Sequence, residues 1–293
     1  MPLPSLAMRR PCAVALPLLF AIAMAANAAA ATPARRIVSM NPSLTRILVA
    51  IGARDSLVGV DEFSARAEPA VSSLPRVGGL YSPSLESVVA LRPDLVVLVP
   101  SFEQREFRTR LTQLGLSVQE YDPVHFEQVL ETILALGKCV GHEIEAKARV
   151  DAIRRTQRAV QRAVADRPPL SAVLVLQREP LFVAGRDSFL DEMLAMAGAR
   201  NLGAELGETW PRTSVEWLVG VAPGVILDSD SDPAPAATFW ARWPSIPEVA
   251  QRRVVAIDAG DVTLPGPALD RALVKLARAL HGEALVLDLE VAP

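Results

Sequence analysis

The residues that could do chemistry come in pairs. Ser84-Leu85-Glu86 is echoed by Ser214-Val215-Glu216, Ala90-Leu91-Arg92-Pro93 by Gly220-Val221-Ala222-Pro223, and Leu95-Val96-Val97-Leu98 by Val225-Ile226-Leu227-Asp228, every match falling at one offset of 130 residues. Each copy reads as a helix running into a strand, with a glutamate near the first helical turn. There the helix dipole favours a carboxylate, and Thr213 to Glu216 also fits a capping box. Neither local reason requires the acid to recur in both copies. An aromatic residue precedes each copy: Tyr81 in the loop Gly78-Gly79-Leu80-Tyr81 and Trp210 in the loop Glu208-Thr209-Trp210-Pro211. Aromatics make up only 5% of the chain, so loop aromatics stand out. Flat rings with a polar edge suit a large planar ligand; the alternative is that both rings fill gaps in their loops.

Around these pairs lies a second tier. Phe63 follows the second expected strand and Phe102 the third, both as candidate wall residues. Arg178-Glu179 follows the strand "SAVLVLQ", and Asp230 and Asp232 follow "GVILDS". Arg178 and Arg186 are the arginines placed to reach an anionic ligand. Trp240 and Trp243 read as packing residues, and Trp217 as core. The three histidines, His125, His142 and His281, fall at a strand end, a helix start and a helix end, so a naked transition-metal site built from histidine and carboxylate is disfavoured. No Gly-x-Gly-x-x-Gly follows the first strand, and "GRDSF" around Ser188 lacks the Gly-x-Ser-x-Gly elbow of serine hydrolases. No catalytic residues or metal ligands are assigned.

These residues must be positioned by strands and helices in alternation. "RIVSM", "SLVGV", "DLVVLVP" and "LSVQEYD" read as strands. Helices are expected from Asn41-Pro42-Ser43, from Ser82-Pro83 with Ser82 as cap, and over "FEQREFRTRLTQLG". The second half repeats the scheme with "SAVLVLQ", "GVILDS", "RRVVAIDA" and a last helix ending at Gly282. Such alternation predicts an α/β fold of two Rossmann-like lobes with parallel sheets. One long helix within His142 to Pro169, with Ile144, Ala148, Ile153, Val160 and Val164 as its apolar stripe and its arginines on a solvated face, joins them. Ligands of open parallel sheets bind at the carboxyl ends of the strands, so two such edges would line a cleft between the lobes, and a single-helix strut implies limited closure.

Bulk composition frames this reading. The chain has 293 residues, 51% of them hydrophobic, and a net charge of -3, which gives no hint of a nucleic-acid or anionic-membrane surface. Arg9-Arg10, an apolar run from Cys12 to Ala26 and the small residues after it read as a secretory signal spanning 1-31, cleaved near 28-31; the run is short for a membrane span, which needs roughly 20 residues. Beyond it, 36-125 is expected to form the N-terminal lobe, 126-168 a helical segment including the long helix, and 169-293 the C-terminal lobe. Cleavage would leave Cys139 as a single, small core residue.

The segments "LPRVGGLYSPSLESVVALRPDLVVL", "TWPRTSVEWLVGVAPGVIL", "FWARWPSIPEVAQRRVVAID" and "LPGPALDRALVKLARALHG" resemble the solute-binding proteins of ABC importers for metal chelates, the helical-backbone group that carries cobalamin, ferric siderophores and haem. The combination looks most like the periplasmic cobalamin-binding members. The resemblance implies a soluble, monomeric periplasmic carrier that is not an enzyme, binds no nucleic acid and does not insert into the membrane. Its cargo would be a small-molecule metal chelate, with cobalamin as transported ligand and no resident cofactor. Haem, with Tyr81 as a conceivable axial ligand, or a ferric siderophore is the alternative cargo. The resemblance further implies that Tyr81 and Trp210 clasp the ligand, and that Glu86 and Glu216 dock on basic residues of the two subunits of a permease dimer.

Overall fold

A computed structural model describes residues 32–288 apart from 80–81, 103, 230–234 and 247–252. The signal segment expected at 1-31, Tyr81, Asp230 and Asp232 lie outside the described residues. The first half contains β1 (Ile37–Ser39), α1 (Pro42–Ala50), β2 (Leu57–Val60), α2 (Glu62–Ala67), α3 (Leu85–Ala90), β3 (Leu95–Leu98), α4 (Arg105–Gln113) and β4 (Val118–Glu120). The four strands form one parallel sheet in the order β2-β1-β3-β4. β1 and β3 are buried throughout, as parallel strands covered on both faces must be.

Two helices follow, α5 (Phe126–Val140) and α6 (Glu143–Val164). The second half then contains β5 (Leu170–Gln177), β6 (Phe182–Val183), α7 (Phe189–Met196), β7 (Ala199–Asn201), α8 (Val215–Val221), β8 (Val225–Asp228), α9 (Ala236–Trp240), β9 (Val254–Ala256), α10 (Ala259–Val262) and α11 (Leu269–His281). Its sheet runs β6-β5-β8-β9, with β7 beside the start of β5; β6 alone is antiparallel.

The internal repeat is physical. α3 and α8 begin one residue apart from serine caps at the same offset: Ser84 Oγ accepts from Ser87 N at 3.2 Å, and Ser214 Oγ from Trp217 N at 3.3 Å. A residue in the left-handed region follows each helix, Arg92 (φ 44) one beyond the Leu91 cap of α3 and Ala222 (φ 43) as the cap of α8, each followed by proline. A residue before proline is disfavoured in the right-handed helical region, so the chain turns out of the helix there and enters β3 or β8. The caps correct two sequence expectations. Ser82-Pro83 lies outside α3, with Pro83 in a bridge to Gly78, and the capping side chain of α8 is that of Ser214, not Thr213. α1, by contrast, starts as its sequence dictates: Asn41 Oδ1 accepts from Ser43 N at 2.8 Å, with Pro42 in the first turn.

α6 is 22 residues long, about 33 Å at 1.5 Å per residue. Its buried stripe is Ala146, Val150, Ile153, Val160 and Val164, packed into a core shared with α5, α7, α11 and both sheets. Ile144 and Ala148 are not in it; Ile144 is 82% exposed. Stepping back from Ile153 by three and then four residues reaches Val150 and Ala146, whereas 148 and 144 fall well round the helix. Arg149 pairs with Asp270 of α11, and Arg154 with Glu127 of α5, so part of the arginine-rich face ties helices together. Lys147 pairs with Asp151 one turn on, at 2.6 Å.

Segments that follow the strand ends of one sheet meet those of the other. Arg46 of α1 donates to the Gly260 carbonyl of α10 at 2.5 Å, Phe189 N at the start of α7 donates to Val124 O after β4 at 2.7 Å, and Glu192 of α7 accepts from Phe126 N at 2.7 Å while lying 2.9 Å from His125 Nδ1. The carboxyl edges of the sheets therefore face a common cleft. A polar network underlies its N-terminal wall: Thr45 Oγ1 lies 2.8 Å from Ser39 Oγ and 2.9 Å from Ser64 Oγ, and Ser64 Oγ bonds the Asp61 carboxylate. Asp61 caps α2 by accepting from Phe63 N and Ser64 N. Burial pushes its carboxyl above the ordinary 3.8, and the hydrogen bonds from Ser64 and Phe63 oppose that rise only in part.

Two consequences can be measured by urea unfolding. Ile153→Ala should lower stability by about 2–5 kcal/mol, and Ile144→Ala should change it by no more than about 0.5 kcal/mol; equal effects would refute the stripe. Because the folded state holds the Asp61 proton more tightly than the unfolded chain, that group's stabilising contribution is complete below 3.8 and is lost as pH rises through its raised folded value. Asparagine keeps the capping oxygen without the charge. Asp61→Asn should therefore gain on the wild type across that pH window and hold a constant difference above it; a difference that does not vary with pH would show that the carboxyl is not raised.

Candidate functional site

The C-terminal wall of the cleft carries a cavity of 390 Å³ lined by Leu176, Leu190, Trp210, Ser229, Ala259 and Thr263. Leu176 is near the carboxyl end of β5, Ser229 directly follows β8, and Ala259 opens α10, the helix that reaches Arg46. Trp210 is 44% exposed, a large apolar surface left open in a concave site. Its loop is fixed by main-chain bonds: Gly185 N donates to Thr209 O at 3.0 Å, Arg186 N to Glu208 O at 3.1 Å, and Val183 N to Pro211 O at 3.2 Å. This close approach demands glycine at 185, because a Cβ there would come within 2.0 Å of the Glu208 carbonyl oxygen.

The corresponding N-terminal loop leaves from Gly78, at φ 91, where a Cβ would meet the Ser82 carbonyl at 2.2 Å. Glu62 N donates to Gly78 O at 3.0 Å and Ser84 N to Val77 O at 2.9 Å, pinning the base of the loop that carries Tyr81. Phe63, 48% exposed, lies against Gly79 of this loop with the Arg66 guanidinium 4.8 Å from its ring centre. Phe102 follows β3 in a second cavity of 360 Å³, lined by Pro100, Ser101, Phe102, Arg105, Arg108 and Glu120. The structure thus places Trp210 on one wall and Phe63 and Phe102 on the other, with Trp210 and Phe102 in separate concavities.

Arg178 departs from its expected place at the ligand. It is 6% exposed and pairs with Asp228 at 3.0 Å, while Trp240 Nε1 donates to the same carboxylate at 2.5 Å and the Phe239 ring lies 5.0 Å from the guanidinium. Asp228 ends a strand buried along its whole length. A carboxylate at that position needs a counter-ion and donors, and Arg178, just after the neighbouring strand, supplies them. Trp240 is fully buried and Trp243 packs against it at 5.9 Å, as packing residues should. Trp217 is partly buried against the same cluster.

The remaining candidates have clear positions. Glu86 and Glu216 are exposed, each the second residue of its helix. A hydrogen bond from Ser214 holds the Glu216 carboxyl below the ordinary carboxylate range. His142 lies 3.8 Å from Glu145, and His281 Nε2 is 2.9 Å from Ala197 O, both far along the chain from the His125–Glu192 contact. Among the described residues there is no group of three or more His, Cys, Asp or Glu that could hold a metal ion, and no helix is long and apolar enough to cross a membrane. Cys139 Sγ lies 3.0 Å from Gln119 Oε1 and 3.4 Å from the Tyr121 hydroxyl; burial and this thiol push the Tyr121 phenol well up. Sequence reading missed Ser229, Thr263, Leu176 and Leu190, which carry no signal except their place after a strand or in a helix, and it read Arg105 only as part of a helix.

Comparison with known proteins agrees with this geometry. The vitamin B12-binding protein of Yersinia pestis is 26% identical over 222 residues, covering 75% of this chain and 79% of the relative. The solved periplasmic vitamin B12 binding protein of Vibrio cholerae superposes with a TM-score of 0.75 at 24% identity, covering 85% of this chain and 97% of that one. A periplasmic haem-binding protein of Pseudomonas aeruginosa gives 0.72 at 28% identity, covering 87% and 96%. The family model described as periplasmic binding protein matches residues 37–259, most of the chain. With one parallel and one mostly parallel sheet joined by a long helix around a cleft, the chain belongs to the periplasmic binding protein family.

Proposed function

We propose that the chain is an exported periplasmic carrier that captures a corrinoid, cobalamin, between its lobes and delivers it to the permease dimer of an inner-membrane ABC importer. Trp210 carries this reading: an exposed indole at the carboxyl edge of the sheet, in a cavity it shares with Leu176, Leu190, Ser229 and Thr263, offers a flat face to a macrocycle. Phe63 and Phe102 add apolar surface on the opposite wall, and Tyr81, by its place in the matching loop, completes the clasp. Similarity to vitamin B12-binding proteins over 75% of the chain supports the choice of cargo. Haem is the second reading, favoured by the 28% identity to a haem-binding protein; a ferric siderophore has less support, since Arg178 is turned into its own lobe. The protein acts as a monomer and carries out no catalysis. Glu86 and Glu216, exposed on matched helices of the two lobes, meet basic residues on the two permease subunits. Asp230 remains a proposed ligand contact on the strength of its place in the sequence just after β8.

The test is calorimetric titration of the signal-free chain with cyanocobalamin, beside haemin and a ferric siderophore. One-to-one binding of cobalamin is expected, weakened about 30-fold by Trp210→Ala, a truncation worth roughly 2 kcal/mol. Heat with haemin or the siderophore and none with cobalamin would change the cargo, and silence with all three would overturn the carrier reading. Glu86→Lys with Glu216→Lys should leave that titration unchanged and abolish uptake into vesicles bearing the importer; undiminished uptake would remove the docking role.

A further inference from the structure

The cavity beyond β3 and β4 differs in kind from the one at Trp210. Phe102 is 79% exposed, and the Arg105 guanidinium carbon lies 5.1 Å from its ring centre. A guanidinium held near an aromatic ring by cation–π attraction still has N–H groups to donate, and its planar fork is the group that reads carboxylate and phosphate. Two nearby arginines of the same helix are matched by acids. Arg108 donates to Glu120 at 2.6 Å, and Arg110 to Glu106 at 2.5 Å. Glu120 is the only acid among the described lining residues and is already paired with Arg108, so Arg105 is the one lining cation without an acidic partner among the described residues. Ser101 stands beside it; its oxygen accepts from Gln104 N at 3.2 Å, leaving the hydroxyl proton for a ligand.

We infer that Phe102, Arg105 and Ser101 form an anion-receiving subsite on the N-terminal wall of the cleft, which takes an acidic substituent of the bound macrocycle and makes Arg105 a specificity-determining residue. The inference rests on the carrier reading above and adds to it the chemistry of one edge of the ligand. A neutral, amide-fringed ring makes no use of an uncompensated guanidinium. A phosphodiester, as in the nucleotide loop of cobalamin, or a carboxylate, as in the side chains of haem, does. The site is open to solvent, so its contribution falls with ionic strength.

The experiment titrates wild type and Arg105→Gln with three probes: cyanocobalamin, cyanocobinamide, which lacks the nucleotide phosphate, and haemin. Each is run at low and at high salt. The substitution should weaken the acid-bearing ligand about tenfold at low salt, with a smaller difference at high salt and no effect on cobinamide. Loss for cyanocobalamin would identify the phosphate as the group received, and loss for haemin the carboxylates. If Arg105→Gln weakens cobinamide equally, or changes nothing that the wild type binds, the subsite is overturned while the carrier reading stands. If the wild type binds none of the three, both fall together.

Discussion

One apolar cluster spans both sheets and the helices between them, and the cleft depends on it. Ile37 and Val97 of the first sheet, Leu130 and Ile133 of α5, Ile153 and Val160 of α6, Leu273 and Leu276 of α11, and Leu174 and Leu227 of the second sheet belong to a single buried cluster. Interiors packed to crystal-like density have few alternative arrangements. The sheets are thus held at one mutual orientation by the faces they turn inward, and the edges left over, the carboxyl ends of their strands, become the walls of the cleft. Polar contacts at the seam, such as Arg46 to Gly260 and Glu192 to Phe126, decorate an arrangement that the core already sets.

The walls are built from related parts and are chemically unlike. On the C-terminal side a buried ion pair, Arg178 with Asp228, is satisfied within the lobe, so the surface above it is left to Trp210 and small residues. On the N-terminal side the buried acid, Asp61, has hydroxyls and amides rather than a cation as partners. The arginine of that wall stands free of it on the surface beside Phe102. A ligand with an apolar face and an acidic edge matches this asymmetry.

Much of this was legible in the sequence because it is governed by short-range rules. The repeat survived as an offset because the serine cap, the glutamate, the residue before proline and the following apolar strand are each constrained locally, and a sequence reading sees such constraints. What failed involved partners distant in the chain. Ile144 looks like a member of the α6 stripe until Ile153 is known to face α5 and α11. Arg178 looks like a ligand contact until Asp228, fifty positions away, is found beside it. Serine 84 and serine 214 outcompeted neighbours of equal propensity only by geometry, a difference no propensity scale resolves. Arg105 was invisible for the converse reason: its significance is that, among the described residues, Glu120 and Glu106 are already paired with other arginines.

The continuity of the core has a thermodynamic corollary. A ligand that binds only the folded chain adds RT ln(1 + [L]/Kd) to its stability, about 4 kcal/mol at a thousandfold excess over Kd. Were the clusters confined to one lobe the only cores, that increment would be confined to whichever lobe held the ligand more tightly. With Ile133, Ile153 and Leu276 buried in the same cluster as both sheets, global unfolding exposes all of them at once. Occupancy of the cleft is therefore registered by amides of α5 and α6 that never approach the ligand, and slow hydrogen exchange in the joining helices becomes a report on the state of the site.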